Sequence, residues 1–434
     1  MSRIAPLSGF PEWLPEGRIV EQHVLDTLRE VFERHGFGSL ETRSVEPLEQ
    51  LLRKGEIDKE VYVLRRLQAE DADADAGLGL HFDLTVPFAR YVLQNAGHLN
   101  FPLRRYQVQK VWRGERPQEG RFREFTQADI DVVGRDTLAP HHESEVALVM
   151  AEVLAALPMP PSLILVNNRK LAEGFYRGVG AADPAAVLRA VDKLDKVGPG
   201  RVGELLQRDA GLSADAAERC LQLAAIRTAD TSFVARVREL GVEHPLLAEG
   251  LTELADVVSA AADRAPGAVV ADLKIARGLD YYTGTVYETE LVGHESVGSI
   301  CSGGRYDSLA SDGRTTYPGV GISLGVTRLV SVLLAKELVQ VSRSVPSAVL
   351  VAVSDDAGRP ASEAVAASLR ARGIATEVAP KPDKFGKQIR YADRRGIPYV
   401  WFPDSAEPLK DIRSGAQVPA DAATWTPPEA DLRP

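Results

Sequence analysis

Residues 111–132 read VWRGERPQEGRFREFTQADIDV, and the fold turns on them. Residues 103–114 and 124–133 have the β-branched, alternating composition of two strands, and the connector ERPQEGRFR (115–123) has the proline and glycine of a long hairpin loop. Arg113 stands at a strand end, where a planar, always-charged guanidinium grips a phosphate bidentately. Glu115, two residues on, faces the same side and can accept from an exocyclic amine. Arg121 reaches from across the loop toward a terminal phosphate, and Phe125 offers a flat face to a purine ring. Arg-x-Glu, a loop and Arg-x-x-x-Phe is how a β-hairpin could hold ATP without a glycine cradle. From spacing alone, a salt-bridged hairpin tip explains the same residues and is the simpler reading.

The surrounding chain supplies the rest of an α+β architecture. Upstream, EGRIVEQHVLDTLREVFERH (16–35) spaces Ile19, Val24, Leu25, Leu28, Val31 and Phe32 as a helix that Gly36 stops. The acidic stretch EDADADAGLG (70–79) reads as a loop. Residues 168–265 are rich in Ala, Leu, Arg and Asp, with helical patterns broken at Gly198-Pro199-Gly200 and Gly211, and read as a helical insertion. Strand-like sequence returns at 269–291, a second strand at 297–302 leads into Gly303-Gly304, and a helix over 324–341 closes the unit. From Pro346, SAVLVAVS, a helix over Ser362–Arg372, ATEVA, a helix over Phe385–Arg395 and PYVWFP give the βαβαβ order of a small α/β domain. The tail 419–434 reads as frayed.

At 434 residues, 44% hydrophobic and 26% charged, the chain has the profile of a soluble protein with roughly two to four domains. No apolar run approaches the ~20 residues of a membrane span, and the first residues lack the apolar centre of a secretion signal. Cys220 and Cys301 match no metal-ligand spacing, so a cytoplasmic, disulfide-free protein with no membrane partner is expected. No P-loop and no dinucleotide glycine motif occurs, and the eight histidines form no HExxH cluster, so no metal site is expected from a dedicated motif. The net charge of −10 taken alone argues against a nucleic-acid partner. Two basic islands answer it: residues 101–125 hold seven basic against three acidic side chains, and 381–395 hold six against two.

Taken together, the motifs resemble those of the class II aminoacyl-tRNA synthetases, and within them the histidyl-tRNA synthetases. Arg113-x-Glu115 with Arg121-x-x-x-Phe125 is similar to motif 2, and GISLGVTRL (321–329), carrying Arg328, to motif 3. RGLDYYTGTVYE (277–288) and SGGRYDSL (302–309) resemble the two histidine signatures, and LHFDLTVPFARY (80–91) the substrate-pocket strand. FGKQIRYADRRGIPYVWF (385–402) and LKDIRSGAQV (409–418) resemble the anticodon-binding domain. Helix 16–35 and GFGSLETRSVEPL (36–48) fit motif 1 loosely around Pro47. The resemblance implies an antiparallel-sheet catalytic domain in two parts (1–167 and 266–342), a helical insertion (168–265), a C-terminal α/β anticodon-binding domain (346–434), and a homodimer.

It also implies a reaction. Histidine's carboxylate attacks the α-phosphorus of ATP, pyrophosphate leaves, and the histidyl group passes to the 3′ end of tRNA(His), with Mg²⁺ escorting the β/γ-phosphates. Phosphoryl transfer of this kind depends on in-line positioning and charge neutralisation. By resemblance Arg113 holds the α-phosphate, Arg121 and Arg328 the β/γ end, Glu115 the adenine amine, and Phe125 the adenine face. Arg277 would bridge the amino-acid carboxylate and the α-phosphate where related enzymes place a metal ion. Asp83, Thr85 and Gln127 match positions around the α-amino group, Asp131, Tyr282 and Tyr306 those around the ring, with Tyr281 and Gly304 beside them and Gly303-Gly304 giving close backbone approach. Arg116, Gln118 and Arg123 would face the acceptor end of the tRNA, and Lys384, Lys387 and Arg390 the anticodon. The alternative, a non-catalytic paralogue acting as a histidine-sensing regulatory subunit, is disfavoured by the retained ATP-site arginines and residues 346–420.

Overall fold

The computed structural model describes residues 5–52, 60–66, 77–118, 120–276 and 281–434. The chain divides into two compact units, Met1–Pro11 with Val24–Leu338, and Glu12–His23 with Val339–Pro434. Among the described residues no helix is long and apolar enough to cross a membrane. Both cysteines are free thiols and buried.

Helix α1 (Pro15–Arg34) is followed by β1 (Gly38–Ser39), β2 (Val45–Pro47), α2 (Leu48–Leu51), β3 (Val63–Leu64), β4 (Leu78–Leu80), α3 (Thr85–Asn95), β5 (Leu103–Trp112), β6 (Glu124–Val133), α4 (His141–Ala156) and β7 (Ser162–Asn168). Helices α5 (Arg169–Gly178), α6 (Pro184–Val191), α7 (Leu194–Arg208) and α8 (Ala214–Ala224), strand β8 (Arg227–Thr228), and helices α9 (Phe233–Glu239) and α10 (Pro245–Arg264) come next. Strands β9 (Val269–Asp272), β10 (Thr285–Leu291), β11 (Cys301–Tyr306) and β12 (Gly319–Gly325) and helix α11 (Val326–Ala335) complete the first unit's elements.

Local chemistry sets several of these boundaries. Asn168 caps α5 by accepting from the backbone N–H of Lys170 and Leu171, and Asp183 caps α6 ahead of Pro184. Helix α7 is broken at Gly198 (φ 78°), where the sequence places Gly-Pro-Gly.

Nine strands form one sheet in the order β1-β5-β6-β12-β11-β10-β7-β9-β8. Pairing is antiparallel from β5 through to β7, while β1 runs parallel to β5 and β9 to β7. Helix α11 packs against β6, and α4 against β12 and β6. The sheet's apolar face, including Ala128, Ile130, Val132, Val320, Ile322 and Leu324, is at most 2% exposed. Alternation along the strands puts Arg105, Gln107, Gln127, Asp129, Asp131 and Ser323 on the opposite face. An antiparallel sheet with one apolar and one polar face is the platform the α+β reading expected.

Four expectations about the first unit need correction. LHFDLTVPFARY is not a strand: only Leu80 ends β4, and Thr85 opens helix α3, because Asp83 Oδ1 accepts from Val86 N at 3.1 Å and satisfies a donor of the first turn. Of the acidic stretch 70–79, Leu78 and Gly79 belong to β4, and 70–76 lie outside the described residues. The strand expected at 297–302 starts later, at Cys301, and includes both glycines; Glu295–Val297 instead form one 3₁₀ turn ended by Gly298 (φ 76°). The closing helix is shorter than 324–341, running Val326–Ala335, because Ser323–Gly325 pair with β6.

The second unit adds β13 (Val349–Val351), α12 (Arg359–Ala371), β14 (Thr376–Val378), α13 (Phe385–Arg394), β15 (Tyr399–Trp401), β16 (Leu409–Asp411), β17 (Gln417–Val418) and α14 (Glu429–Leu432). Its sheet runs β14-β13-β15-β16-β17, parallel over the first three strands and antiparallel beyond. The βαβαβ order is as read from the sequence. The tail is not frayed: Trp425 lies edge-on to Tyr399 with centroids 5.1 Å apart, and Asp431 accepts from Tyr399 Oη at 2.7 Å and pairs with Arg413 at 2.7 Å.

Candidate active site

The site is built outward from the β5–β6 hairpin. Its ladder sets Arg105 opposite Asp131, Gln107 opposite Asp129 and Gln109 opposite Gln127. On the other side of β6, β12 sets Ser323 opposite Asp129 and Gly321 opposite Asp131. Glycine is required at 321, since a Cβ there would lie 2.2 Å from Asp131 Oδ1. Gln127 and Asp131, four apart on β6, share a face, with Asp129 on that face between them.

Past the strand end the loop is tied down on several sides. Arg123 N and Glu124 N donate to Gly9 O at 2.7 and 3.1 Å. Arg123 Nε donates to Glu115 O at 3.2 Å, which the acceptor-end reading of Arg123 did not anticipate. Thr126 N donates to Thr327 Oγ1 at 2.8 Å, joining the hairpin to α11. Arg328, one residue on, donates from Nε to Gly120 O at 2.7 Å and from a terminal nitrogen to Ser299 O. Arg116 and Gln118 are exposed on this loop.

The hairpin, the stretch 296–302 and the β12–α11 junction enclose a cleft of about 420 Å³, the size range of small-ligand sites. Arg113, Glu115, Arg121, Phe125, Gln127 and Arg328 all line it. Glu115 lies between two guanidinium groups, 3.9 Å from Arg113 and 3.5 Å from Arg121. Arg113 sits 5.1 Å over the Phe125 ring and donates from Nε to Phe82 O at 3.0 Å. The partial salt-bridging that the simpler sequence reading foresaw is present, yet it lines a cavity rather than closing a tip.

A second, smaller recess of about 20 Å³, room for roughly one water, adjoins the cleft; Ser302 and Ser323 line both. Thr85, Asp129, Asp131, Tyr282, Gly304 and Tyr306 line the recess. Tyr306 Oη donates to Asp131 Oδ1 at 2.8 Å, and Arg105 pairs with Asp131 Oδ2 at 2.7 Å. Arg105 is 1% exposed and lies 4.1 Å over the Phe88 ring. The space above Gly304 is taken by the Tyr282 ring, 2.7 Å from where a Cβ would stand, so this glycine admits a side chain of the protein itself. The Tyr281 and Tyr282 rings are 4.1 Å apart. Asp83 is buried at the start of α3.

Burial pushes the Asp129 carboxyl up to about 7; the Arg105 guanidinium opposes this and the like charge of Asp131 adds to it. Burial also raises the Tyr281 and Tyr306 phenols well above their ordinary range. Arg277 lies outside the described residues. In the second unit Lys384 precedes α13, which carries Lys387 and Arg390; Lys387 pairs with Asp383 at 3.3 Å, and Lys387 and Arg390 border a groove of about 560 Å³.

The sequence reading missed Arg105, Asp129 and Ser323. Strand parity could have found Asp129, which stands two residues from each of two chosen neighbours. Arg105 needed the cross-strand register. Arg305, inside the second signature, braces the scaffold by donating to Glu143 and Asp307, both at 3.0 Å.

Comparison with known proteins bears on what this site serves. Residues 9–329 match the family model described as histidyl-tRNA synthetase, and 347–410 that of the anticodon binding domain. The histidine–tRNA ligase of Cutibacterium acnes is 63% identical, over 100% of this chain and 99% of its own length. That of Micrococcus luteus is 64% identical, over 100% and 98%. The crystal structure of histidyl-tRNA synthetase from Nostoc sp. PCC 7120 superposes with a TM-score of 0.87 at 34% identity, covering 96% of this chain and 97% of that one. A Bacillus halodurans structure described as an ATP phosphoribosyltransferase regulatory subunit/histidyl-tRNA synthetase shares the fold at 20% identity and a TM-score of 0.74. With the cleft, the recess and both family matches in place, the chain belongs to the histidyl-tRNA synthetases, the class II aminoacyl-tRNA synthetases that join histidine to its tRNA.

Proposed function

We propose that the cleft and recess form one reaction chamber in which L-histidine and ATP give histidyl-adenylate, which then charges tRNA(His). The observation that carries this is the convergence of Arg113, Arg121 and Arg328 with Phe125 on one cleft whose side walls continue into a carboxylate-lined recess. Three fixed cations suit a triphosphate, and carboxylates suit the ammonium and ring N–H of histidine.

On this reading Arg113 holds the α-phosphate, Arg121 and Arg328 take the β/γ end, and the adenine lies on Phe125 with its amine at Glu115. Glu115 is then released from its two arginines as phosphate replaces it. Arg277, matched by resemblance alone, spans carboxylate and α-phosphate. Asp83, Thr85 and Gln127 orient the α-amino group; Asp131, Tyr281, Tyr282, Gly304 and Tyr306 shape the ring's surroundings. Since the attacking oxygen belongs to histidine, the chain's own task is alignment and charge neutralisation.

Among the described residues no group of three ligating side chains forms a metal site. By the family resemblance Mg²⁺ would arrive on the nucleotide's β/γ-phosphates, and no step here is assigned to it. Residues 1–167 and 266–342 act as catalytic domain, 168–265 as its insertion, and 346–434 as anticodon-binding domain. Arg116, Gln118 and Arg123 face the acceptor end, while Lys384, Lys387 and Arg390 face the anticodon. The working form is a homodimer in the cytoplasm.

Histidine-dependent ATP–pyrophosphate exchange tests the chamber. Arg113→Ala and Arg277→Ala should each lower exchange by a factor of ~10² or more with the melting temperature retained. Full exchange in either variant would remove that residue from the reaction.

A further inference from the structure

Strand β6 runs past the end of its neighbour. Its ladder with β12 stops at the pair Gln127–Gly325, where the chain turns into α11, so Glu124, Phe125 and Thr126 extend beyond it. On the other flank all three still pair with β5. On the β12 side the backbone N–H of Thr126 meets no strand and donates instead to Thr327 Oγ1 at 2.8 Å. Thr327 stands in the first turn of α11 and is 3% exposed. A backbone amide shut away from water is costly without an acceptor, so this hydroxyl completes the sheet edge where β12 ends.

The neighbours of the two threonines are cleft residues: Phe125 on the hairpin and Arg328 on the helix. Neither Thr126 nor Thr327 borders the cleft or the recess. A second tie crosses the same gap in front, from Arg328 Nε to Gly120 O at 2.7 Å. That tie uses the guanidinium assigned above to the β/γ-phosphates, and a bound phosphate competes for it. The threonine tie stays out of the ligand's reach and holds whether or not the cleft is filled.

We propose that Thr327 is a positioning residue for ATP: its hydroxyl, by holding α11 to β6, fixes the span between the adenine platform at Phe125 and the terminal-phosphate cation at Arg328. This rests on the ATP-binding reading above and adds to it the group that presets the length of the cleft. ATP has to bridge both ends at once. A cleft held at the right span is ready to bind, whereas one free to vary is ready only part of the time, and the apparent affinity falls by that fraction. A ligand confined to the adenine end makes no use of the span.

The test is calorimetric titration of ATP and of AMP into the full-length protein, as wild type, Thr327→Val and Thr327→Ser. Valine keeps the branched shape and removes the acceptor, while serine keeps the hydroxyl. T327V should raise the ATP Kd roughly 3- to 10-fold, the worth of one neutral hydrogen bond, with the AMP Kd within about twofold of wild type. Thr327→Ala, which lacks the acceptor and adds no bulk, should repeat that split. T327S should bind both nucleotides within about twofold of wild type. Damage to the fold would instead move both nucleotides together. An unchanged ATP Kd in T327V overturns the proposal, as does an AMP Kd that rises in parallel, or a serine variant as impaired as the valine one. A wild-type protein that binds neither nucleotide overturns the ATP reading with it. One that binds ATP yet exchanges no pyrophosphate with histidine overturns the activation reading alone.

Discussion

Replacing Asp129 by asparagine should make the free protein more stable, by an amount that grows with pH. The carboxyl is raised from 3.8 to about 7 in the folded chain, chiefly by burial. In the unfolded chain it ionises at its ordinary value, so between those limits the folded state binds the extra proton. Stability contributed by that proton is complete below pH 3.8 and is lost as pH rises to about 7. At about 1.4 kcal/mol per unit, a shift of about three units amounts to about 4 kcal/mol once both states are ionised. At pH 5.5 roughly half of that has been lost. Urea unfolding should therefore show D129N gaining about 4 kcal/mol at pH 8.5 and about 2 kcal/mol at pH 5.5, less whatever the amide loses facing Arg105. A variant less stable than wild type at pH 8.5, or a gain equal at the two pH values, would refute the claim that this carboxylate is held at a cost.

Two further outcomes follow from the same geometry. Arg105→Met removes the cation from between Phe88 and Asp131 and should destabilise the fold by about 3–5 kcal/mol, with Asp131→Asn in the same chain restoring part of the loss; a thermal midpoint equal to wild type would contradict the buried pair. Lys387→Glu with Arg390→Glu should leave pyrophosphate exchange unchanged, weaken charging of tRNA and flatten its salt dependence, whereas unaltered charging would remove α13 from the tRNA interface.

Much of this molecule was legible in its sequence because its signals are local. The hairpin strands are read from alternation and end within two residues of their expected limits, and the βαβαβ order of the second unit follows from short apolar runs between helical ones. The five residues read as an ATP grip share one cleft, since parity and loop length alone bring Arg113, Glu115, Arg121 and Phe125 together and α11 delivers Arg328. What escaped was non-local. Asp83 looks strand-like in LHFDLTVPFARY until its carboxylate is seen to start a helix. The tail looked frayed by composition, yet Trp425 and Asp431 find partners on β15 and at Arg413 that no window of sequence contains. Arg105 reads as one more surface cation of a basic island, and only the register opposite Asp131 turns it into a buried brace.

The central claim, that the chamber activates histidine and no other amino acid, is met most directly by ATP–pyrophosphate exchange with each of the twenty amino acids offered separately. The account predicts exchange with histidine alone, the other nineteen staying at background. Exchange driven by a different amino acid, or by none, would contradict it.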